Sequence, residues 1–99
     1  MALISGHYQT GETLPRALLD KMLAARNFQS GMMMVRQLEF SLFDFCLHRD
    51  YEPGVTDVQS YLNDIRSRVA VITPPEFNRF QHSFSHIFDG GYAAGYYSY

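Results

Sequence analysis

The run from Phe28 to His48 restricts the fold more than any other part of the sequence, because apolar residues recur in it at helical spacing on two sides. One apolar stripe consists of Val35, Leu38, Leu42 and Phe45. A second stripe consists of Phe40, Phe43 and Leu47. A polar line along the same run consists of Gln37, Ser41, Asp44 and His48. Because a helix that is apolar on most of its sides is normally buried, the run predicts a long interior helix.

A shorter helix is predicted before this run. It begins near Leu14 and has Pro15 in its first turn, where the missing N–H costs nothing. Asn27 suits a C-terminal cap at its end. The residues before it, which include His7, have no strong period and are predicted to form a loop or the end of a helix.

A third helix is predicted after the Pro53-Gly54 turn. Thr56 and Gln59 have the spacing of a capping box, and apolar residues then keep helical period as far as Ile72. Pro74-Pro75 ends this segment. Its other face carries charges that we expect to be solvated: Asp64, Arg66 and Arg68.

A fourth, shorter helical segment precedes Gly90-Gly91, since phenylalanines recur there at spacings of three and four. These are Phe77, Phe80, Phe84 and Phe88. Residues 93–99 resemble the opening of a further helix. No strand-like alternation of useful length is present, so the sequence predicts an all-α fold, a helical bundle of about four helices, in a single unit over residues 1–99.

Composition excludes several classes of partner. The formal net charge is −2, so no basic face for nucleic acid is predicted. No apolar run is long enough to cross a membrane, and no signal segment is recognisable. The single Cys46 excludes an internal disulfide framework and suits a reducing compartment. A cytoplasmic protein that binds neither nucleic acid nor membrane is therefore expected.

The stretch from His82 to Tyr99 concentrates the residues that could carry chemistry. It contains two histidines, the Gly90-Gly91 pair, and four tyrosines within eight residues. A tyrosine hydroxyl has a pKa of about 10, so it is a neutral hydrogen-bond donor at physiological pH. Adjacent glycines let the backbone turn sharply or approach a ligand closely. Such a combination can hold an extended polar substrate.

The histidines and tyrosines of this stretch can each be interpreted as site residues or as structural residues. His82 and His86 are four residues apart, which places two imidazoles on one face of a helix, and Asp89 is a conceivable third zinc ligand. A small zinc-binding protein is thus one hypothesis, but HSFSH lacks the glutamate of an HExxH motif, and structural histidines are favoured. Tyrosines can pack their rings in a core, and this is the role expected of Tyr97.

Four segments of the chain resemble, in order, the thimet oligopeptidase and oligopeptidase A family of zinc metallopeptidases. They are ISGHYQTGETLP, LLDKMLAARNFQSG, VRQLEFSLFDFCLH and FSHIFDGGYAAGYYSY. The resemblance implies that residues 1–99 form a C-terminal portion of the catalytic domain of a larger enzyme that hydrolyses short peptides. The family's HExxH motif is absent from these residues. The resemblance therefore implies zinc in the parent enzyme, with its ligands outside this chain and no metal bound by this chain.

The resemblance also assigns site residues. Tyr92, Tyr99 and His86 match catalytic positions that would stabilise the oxyanion in zinc-assisted hydrolysis. Gly90, Gly91 and Tyr96 match substrate-binding positions. Thimet oligopeptidase has one residue fewer between the positions of His86 and Tyr92, whereas oligopeptidase A shares the spacing of this chain. Without the remainder of the catalytic domain, the chain is expected to be inactive and to self-associate through its apolar faces.

A hypothesis of a different class remains open on the residues alone. The chain could be a free-standing helical interaction module that binds a peptide or a partner helix through its Tyr/Phe surface. That hypothesis predicts a stable monomer and peptide binding without metal. The roles of His7 and His82 are not assigned by either hypothesis.

Overall fold

A computed structural model describes residues 4–98 of the chain. Within these residues the regular structure consists of four α-helices and short 3-10 segments, with no strand, so the prediction of an all-α fold is confirmed. The chain divides after Ser30 into two compact units, which are described separately. None of the helices in the described part has both the length and the apolar character needed to cross a membrane.

The first unit contains helix α1, Arg16–Ala24, which continues as a 3-10 turn over Ala25–Asn27. Pro15 is the N-cap, and its carbonyl oxygen accepts the N–H groups of Leu18 and Leu19 at 3.0 and 3.1 Å. Proline fits this position because it loses no helical hydrogen bond there. The predicted helix is therefore present, with Pro15 just outside its first turn.

The second unit contains all but the first residue of α2, Ser30–Asp50, together with α3, Val58–Val69, and α4, Ser85–Phe88. Two 3-10 segments, Phe80–His82 and Tyr96–Ser98, belong to the same unit. Its buried apolar side chains come from all three helices and from the residues that follow them. They are Phe43, Leu47, Leu62, Ile65, Phe84, Ile87 and Tyr96.

Helix α2 is buried on only one of its two apolar stripes. Phe43 and Leu47 are 0% and 6% exposed, as expected for the interior. Leu38, Leu42 and Phe45 are instead 37%, 41% and 52% exposed. The prediction of a helix buried on most sides is thus wrong for the stripe that contains Leu38, Leu42 and Phe45, because no described element of the unit covers it.

Helix α3 begins later than predicted because a different residue caps it. Asp57 is the N-cap, and its Oδ2 accepts the N–H of Ser60 at 3.1 Å. Hydrogen bonds from the side chain and backbone of Ser60 lower the pKa of Asp57 below its ordinary value. The predicted capping box at Thr56 is wrong, since the Thr56 hydroxyl accepts the N–H of Glu52 at 2.9 Å within the preceding turn.

The expectation that Arg66 is solvated is also wrong. Its Nε donates to Oε1 of Glu39 at 2.8 Å, and its Nη2 donates to Oδ1 of Asn78 at 3.1 Å. Arg66 and Glu39 are 6% and 2% exposed, so the pair joins α3 to α2 inside the unit. A buried charge of this kind is tolerated because its partner is buried beside it.

Candidate functional site

The described residues of the candidate site are His86 on α4 and residues of the segment that follows it, 89–98, which we call the tyrosine loop. The loop starts by folding back on the end of α4. The N–H groups of Asp89 and Gly90 both reach the carbonyl oxygen of Ser85, at 2.7 and 2.9 Å. The N–H of Tyr92 donates to the carbonyl oxygen of His86 at 3.2 Å. His86 and Tyr92 are therefore held next to each other through the backbone.

The two glycines at this turn are required for different reasons. A Cβ on Gly90 would lie 2.9 Å from both the Cα and the carbonyl oxygen of His86, which is too close for any side chain. Gly91 has φ +78°, in the left-handed region that side chains disfavour, and open space surrounds its missing Cβ. Gly90 thus permits a close backbone approach, and Gly91 permits the reversal of direction.

The two histidines do not share a helical face. His82 is the last residue of the 3-10 segment Phe80–His82, whereas His86 lies in α4. Phe84 stands between them with φ −86° and ψ +63°, outside the helical region, so the four-residue spacing is not realised as a helix turn. In residues 4–98 no group of three or more His, Cys, Asp or Glu side chains is arranged to hold a metal ion.

Tyr96 is the tyrosine of this loop that packs in the core. It is 7% exposed, and the rings of Phe40 and Phe84 meet it edge-on with centroids at 6.0 and 5.0 Å. Its hydroxyl donates to Oε1 of Gln37 at 3.0 Å. The His86 ring lies beside it with a centroid distance of 6.1 Å. The structure therefore brings together two of the residues singled out from the sequence.

The other tyrosines are placed differently from one another. Tyr92 is half-buried at the start of the loop, and Tyr97 is 80% exposed, so the expectation that Tyr97 is a packing residue is wrong. Ala94 has φ +55°, and only Tyr96–Ser98 form a 3-10 turn, so the expected helix from residue 93 is absent from the described part. Tyr99, the remaining predicted catalytic residue, lies outside the described residues.

One residue that contacts the loop was not singled out as a site residue from the sequence. Asp44 on α2 is fully buried, and its Oδ1 and Oδ2 accept the backbone N–H groups of Ala94 and Tyr96, both at 2.8 Å. Nδ1 of His48 lies 2.9 Å from Oδ1 of Asp44. Gln37, Asp44 and His48 all belong to the polar line recognised on α2, which was the signal that could have identified them.

The described residues of the site provide hydrogen-bond donors on a loop of defined conformation. They do not include an activated nucleophile. Tyrosine hydroxyls and an imidazole can donate hydrogen bonds to an oxyanion or a peptide carbonyl. His86 is exposed and Tyr92 is half-buried, so both can be reached from outside the unit. This arrangement suits the stabilisation of a polar group while a nucleophile from outside the described residues attacks it.

Comparison with known proteins gives a consistent match along the whole chain. The model of peptidase family M3 matches residues 1–99. Oligopeptidase A of Escherichia coli is 57% identical over 100 residues, which cover 100% of this chain and 15% of that protein. A probable cytosolic oligopeptidase A of Arabidopsis thaliana is 50% identical over 97% of this chain and 14% of that protein.

A more distant match has the same extent. Saccharolysin of Saccharomyces cerevisiae is 30% identical over 97% of this chain and 14% of that protein. The chain thus spans about 15% of the length of the curated relatives that it matches first.

Proposed function

This chain belongs to peptidase family M3, and we propose that it is a C-terminal portion of the catalytic domain of an oligopeptidase that hydrolyses peptide bonds in short peptides. The observation that carries the proposal is the match of the family to every residue of the chain, together with 57% identity to a protein named oligopeptidase A. The fold supports it, since the loop with the predicted site residues is attached to α2 by defined hydrogen bonds.

The proposed roles follow from the chemistry of each side chain. Tyr92, Tyr99 and His86 donate hydrogen bonds to the oxygen that becomes negatively charged when a peptide carbonyl is attacked. Gly90 and Gly91 place the backbone of the turn against the substrate. Donors that are fixed in advance act best here, because no reorganisation is needed as the charge develops.

Tyr96 is proposed to contact the substrate beside His86. In this structure its hydroxyl is bound to Gln37, so a direct hydrogen bond from that hydroxyl to a peptide requires the bond to Gln37 to be exchanged. The Tyr96 ring, which lies beside the His86 ring, can take part without such a change.

The described residues do not fit a metal centre, since His82 and His86 lie on separate elements and no third ligand is grouped with them. We therefore propose that the zinc implied by the family resemblance is bound by residues outside this chain. When bound, such a metal supplies an activated water and polarises the carbonyl. The isolated chain is accordingly proposed to be inactive.

The partner of this chain is proposed to be the remainder of the catalytic domain. The exposed stripe on α2, formed by Leu38, Leu42 and Phe45, is the apolar surface that the remainder would cover. In the isolated chain the same stripe favours self-association. A cytoplasmic location is proposed from the relative whose name places it in the cytosol.

The test compares two proteins under the same conditions. One is this 99-residue chain, and the other is the longer peptidase that contains it. Cleavage of a short fluorogenic peptide is expected from the longer protein only, and a chelator is expected to abolish it. Zinc-dependent cleavage by the 99-residue chain would contradict the proposal. Metal-independent binding of a peptide by a monomeric 99-residue chain would favour the interaction module instead.

A further inference from the structure

We propose that Asp44 is a positioning residue that fixes the tyrosine loop on α2. Its two carboxylate oxygens accept one backbone N–H each, from Ala94 and from Tyr96, at 2.8 Å. These two residues flank Gly95 in the middle of the loop. Hydrogen bonds from N–H groups to a carboxylate are charge-assisted and about twice as strong as neutral ones. A single side chain thus holds the loop at two neighbouring points.

The burial of Asp44 indicates that its hydrogen bonds to the loop are needed to stabilise its carboxylate. The residue is 0% exposed, and removing an ionised carboxylate from water costs several kcal/mol unless hydrogen bonds replace the water. The replacement is provided by the two loop N–H groups. Nδ1 of His48 hydrogen-bonds the carbonyl oxygen of Asp44 at 2.9 Å and lies at the same distance from Oδ1. If the loop moved away, Asp44 would lose most of its solvation.

The bonds to Asp44 fix a backbone conformation that the sequence does not favour locally. Ala94 has φ +55°, which is uncommon for a residue with a Cβ. The adjacent N–H of Gly95 donates to the carbonyl oxygen of Tyr92 at 2.8 Å, which closes the turn. Asp44 therefore stabilises a tight turn that begins at Tyr92 and delivers Tyr96 into the core.

Gln37 adds a second attachment on the same side of α2. It accepts the hydroxyl of Tyr96 at 3.0 Å and lies two helical turns before Asp44. One face of α2 thus receives the loop through its backbone at Asp44 and through a side chain at Gln37. Asp44 is itself 0% exposed, so it acts on a substrate only through the placement of Tyr92 and its neighbours.

The consequence for catalysis rests on the proposed function of the loop. The test uses the longer peptidase with Asp44→Asn, which keeps the size of the side chain but places an amide N–H₂ against a backbone N–H. Loss of one or two charge-assisted bonds is expected to speed hydrogen exchange at Ala94 and Tyr96 by roughly ten-fold to a hundred-fold. A decrease in kcat with little change in KM is expected alongside it.

Glu39→Gln is the matched control, because Glu39 is another buried carboxylate of α2 but pairs with Arg66 on α3. It is expected to lower the thermal midpoint and to leave loop exchange and kcat unchanged. Unchanged loop exchange in Asp44→Asn, or equal acceleration in Glu39→Gln, would overturn the anchoring role. Faster exchange in Asp44→Asn with an unchanged kcat would instead contradict the catalytic role proposed for the loop, so the two failures give different results.

Discussion

Nε of Arg66 donates a 2.8 Å hydrogen bond to Oε1 of Glu39, and both side chains are buried between α3 and α2. Removing one partner leaves the other charge buried without compensation. We therefore expect Arg66→Met to cost about 3–5 kcal/mol in the free energy of unfolding. Urea unfolding followed by circular dichroism measures this cost.

The double variant Glu39→Leu with Arg66→Met provides the control. Because a buried ion pair can often be replaced by apolar side chains at little cost, the double variant is expected to be more stable than Arg66→Met alone. A double variant whose loss equals the sum of the separate Arg66→Met and Glu39→Leu losses would show that the two charges are not coupled in the folded protein.

A second prediction concerns Gly90 and Gly91, the two glycines of the turn after α4. Gly90→Ala places a Cβ 2.9 Å from the backbone of His86, so the backbone must shift. A displacement of this kind in the longer peptidase is expected to lower kcat by about a hundred-fold if His86 acts on the substrate. Steady-state cleavage of a short peptide measures it.

Gly54 supplies a matched comparison for Gly91. Both residues have φ +78°, and neither has an atom within contact distance of an added Cβ. Alanine at either position is expected to destabilise the protein by a similar amount, about 1–2 kcal/mol. Only Gly91→Ala is expected to lower turnover, and an equal loss with Gly54→Ala would assign the effect to general destabilisation.

The terminal tyrosine gives a third prediction, made from the sequence. If Tyr99 donates to the oxyanion, Tyr99→Phe in the longer peptidase lowers kcat and kcat/KM together by about 10²–10³-fold and leaves KM nearly unchanged. Tyr97→Phe is the control, because Tyr97 is 80% exposed and has no assigned role. Steady-state kinetics at equal metal content compare the two. A wild-type kcat in Tyr99→Phe, or an equal loss in Tyr97→Phe, would refute the assignment.

The end of α2 gives a prediction about pH. Hydrogen bonds from Arg49, and then from the Tyr61 hydroxyl at 2.8 Å, lower the pKa of Asp50 from 3.8 to about 2. Because this folded-state pKa is depressed, the stabilisation is present above the ordinary carboxyl pKa and is lost as pH falls toward 2. Tyr61→Phe is expected to raise the pKa of Asp50. Carboxyl NMR titration tests this, with Asp57, whose pKa is lowered by Ser60 and not by Tyr61, as an internal reference.

The exposed stripe of α2 gives the last prediction. The isolated chain is expected to form dimers or larger assemblies at high micromolar concentration, because Leu42 and Phe45 are 41% and 52% exposed next to each other on one helix. Leu42→Glu is expected to lower the average mass measured by light scattering toward that of the monomer. Asn63→Glu, an equal charge change at an exposed position on α3, is expected to have no such effect. A monomeric wild-type chain would contradict the prediction.

Much of the secondary structure could be predicted because it depends on neighbours in the sequence. The period of apolar residues identified α2, and Pro15 marked the start of α1 within one or two residues. The start of α3 was misplaced because Thr56 and Asp57 are both capping residues, and the choice between them depends on the turn geometry before the helix.

The sequence allowed the residue types of the candidate site to be predicted, but not the positions of those residues in the fold. Gly90 and Gly91 were recognised from their type alone, and the structure supplies a steric reason for one and a backbone reason for the other. The placement of Tyr96 in the core and of Tyr97 at the surface could not be read from the sequence. Helical spacing was assumed there, and the left-handed Ala94 breaks it.

The sequence by itself determined the all-α class, the position of each long helix, and the concentration of donors and glycines near residue 90, because these depend on local spacing and residue type. Only the tertiary structure decided which stripe of α2 is buried, that Arg66 is internal, and that Asp44 receives the tyrosine loop. Asp44 and Tyr96 are 52 positions apart in the sequence. A charged residue is buried only where tertiary packing places a hydrogen-bonding or oppositely charged partner beside it. The residues next to it in the sequence do not identify that partner.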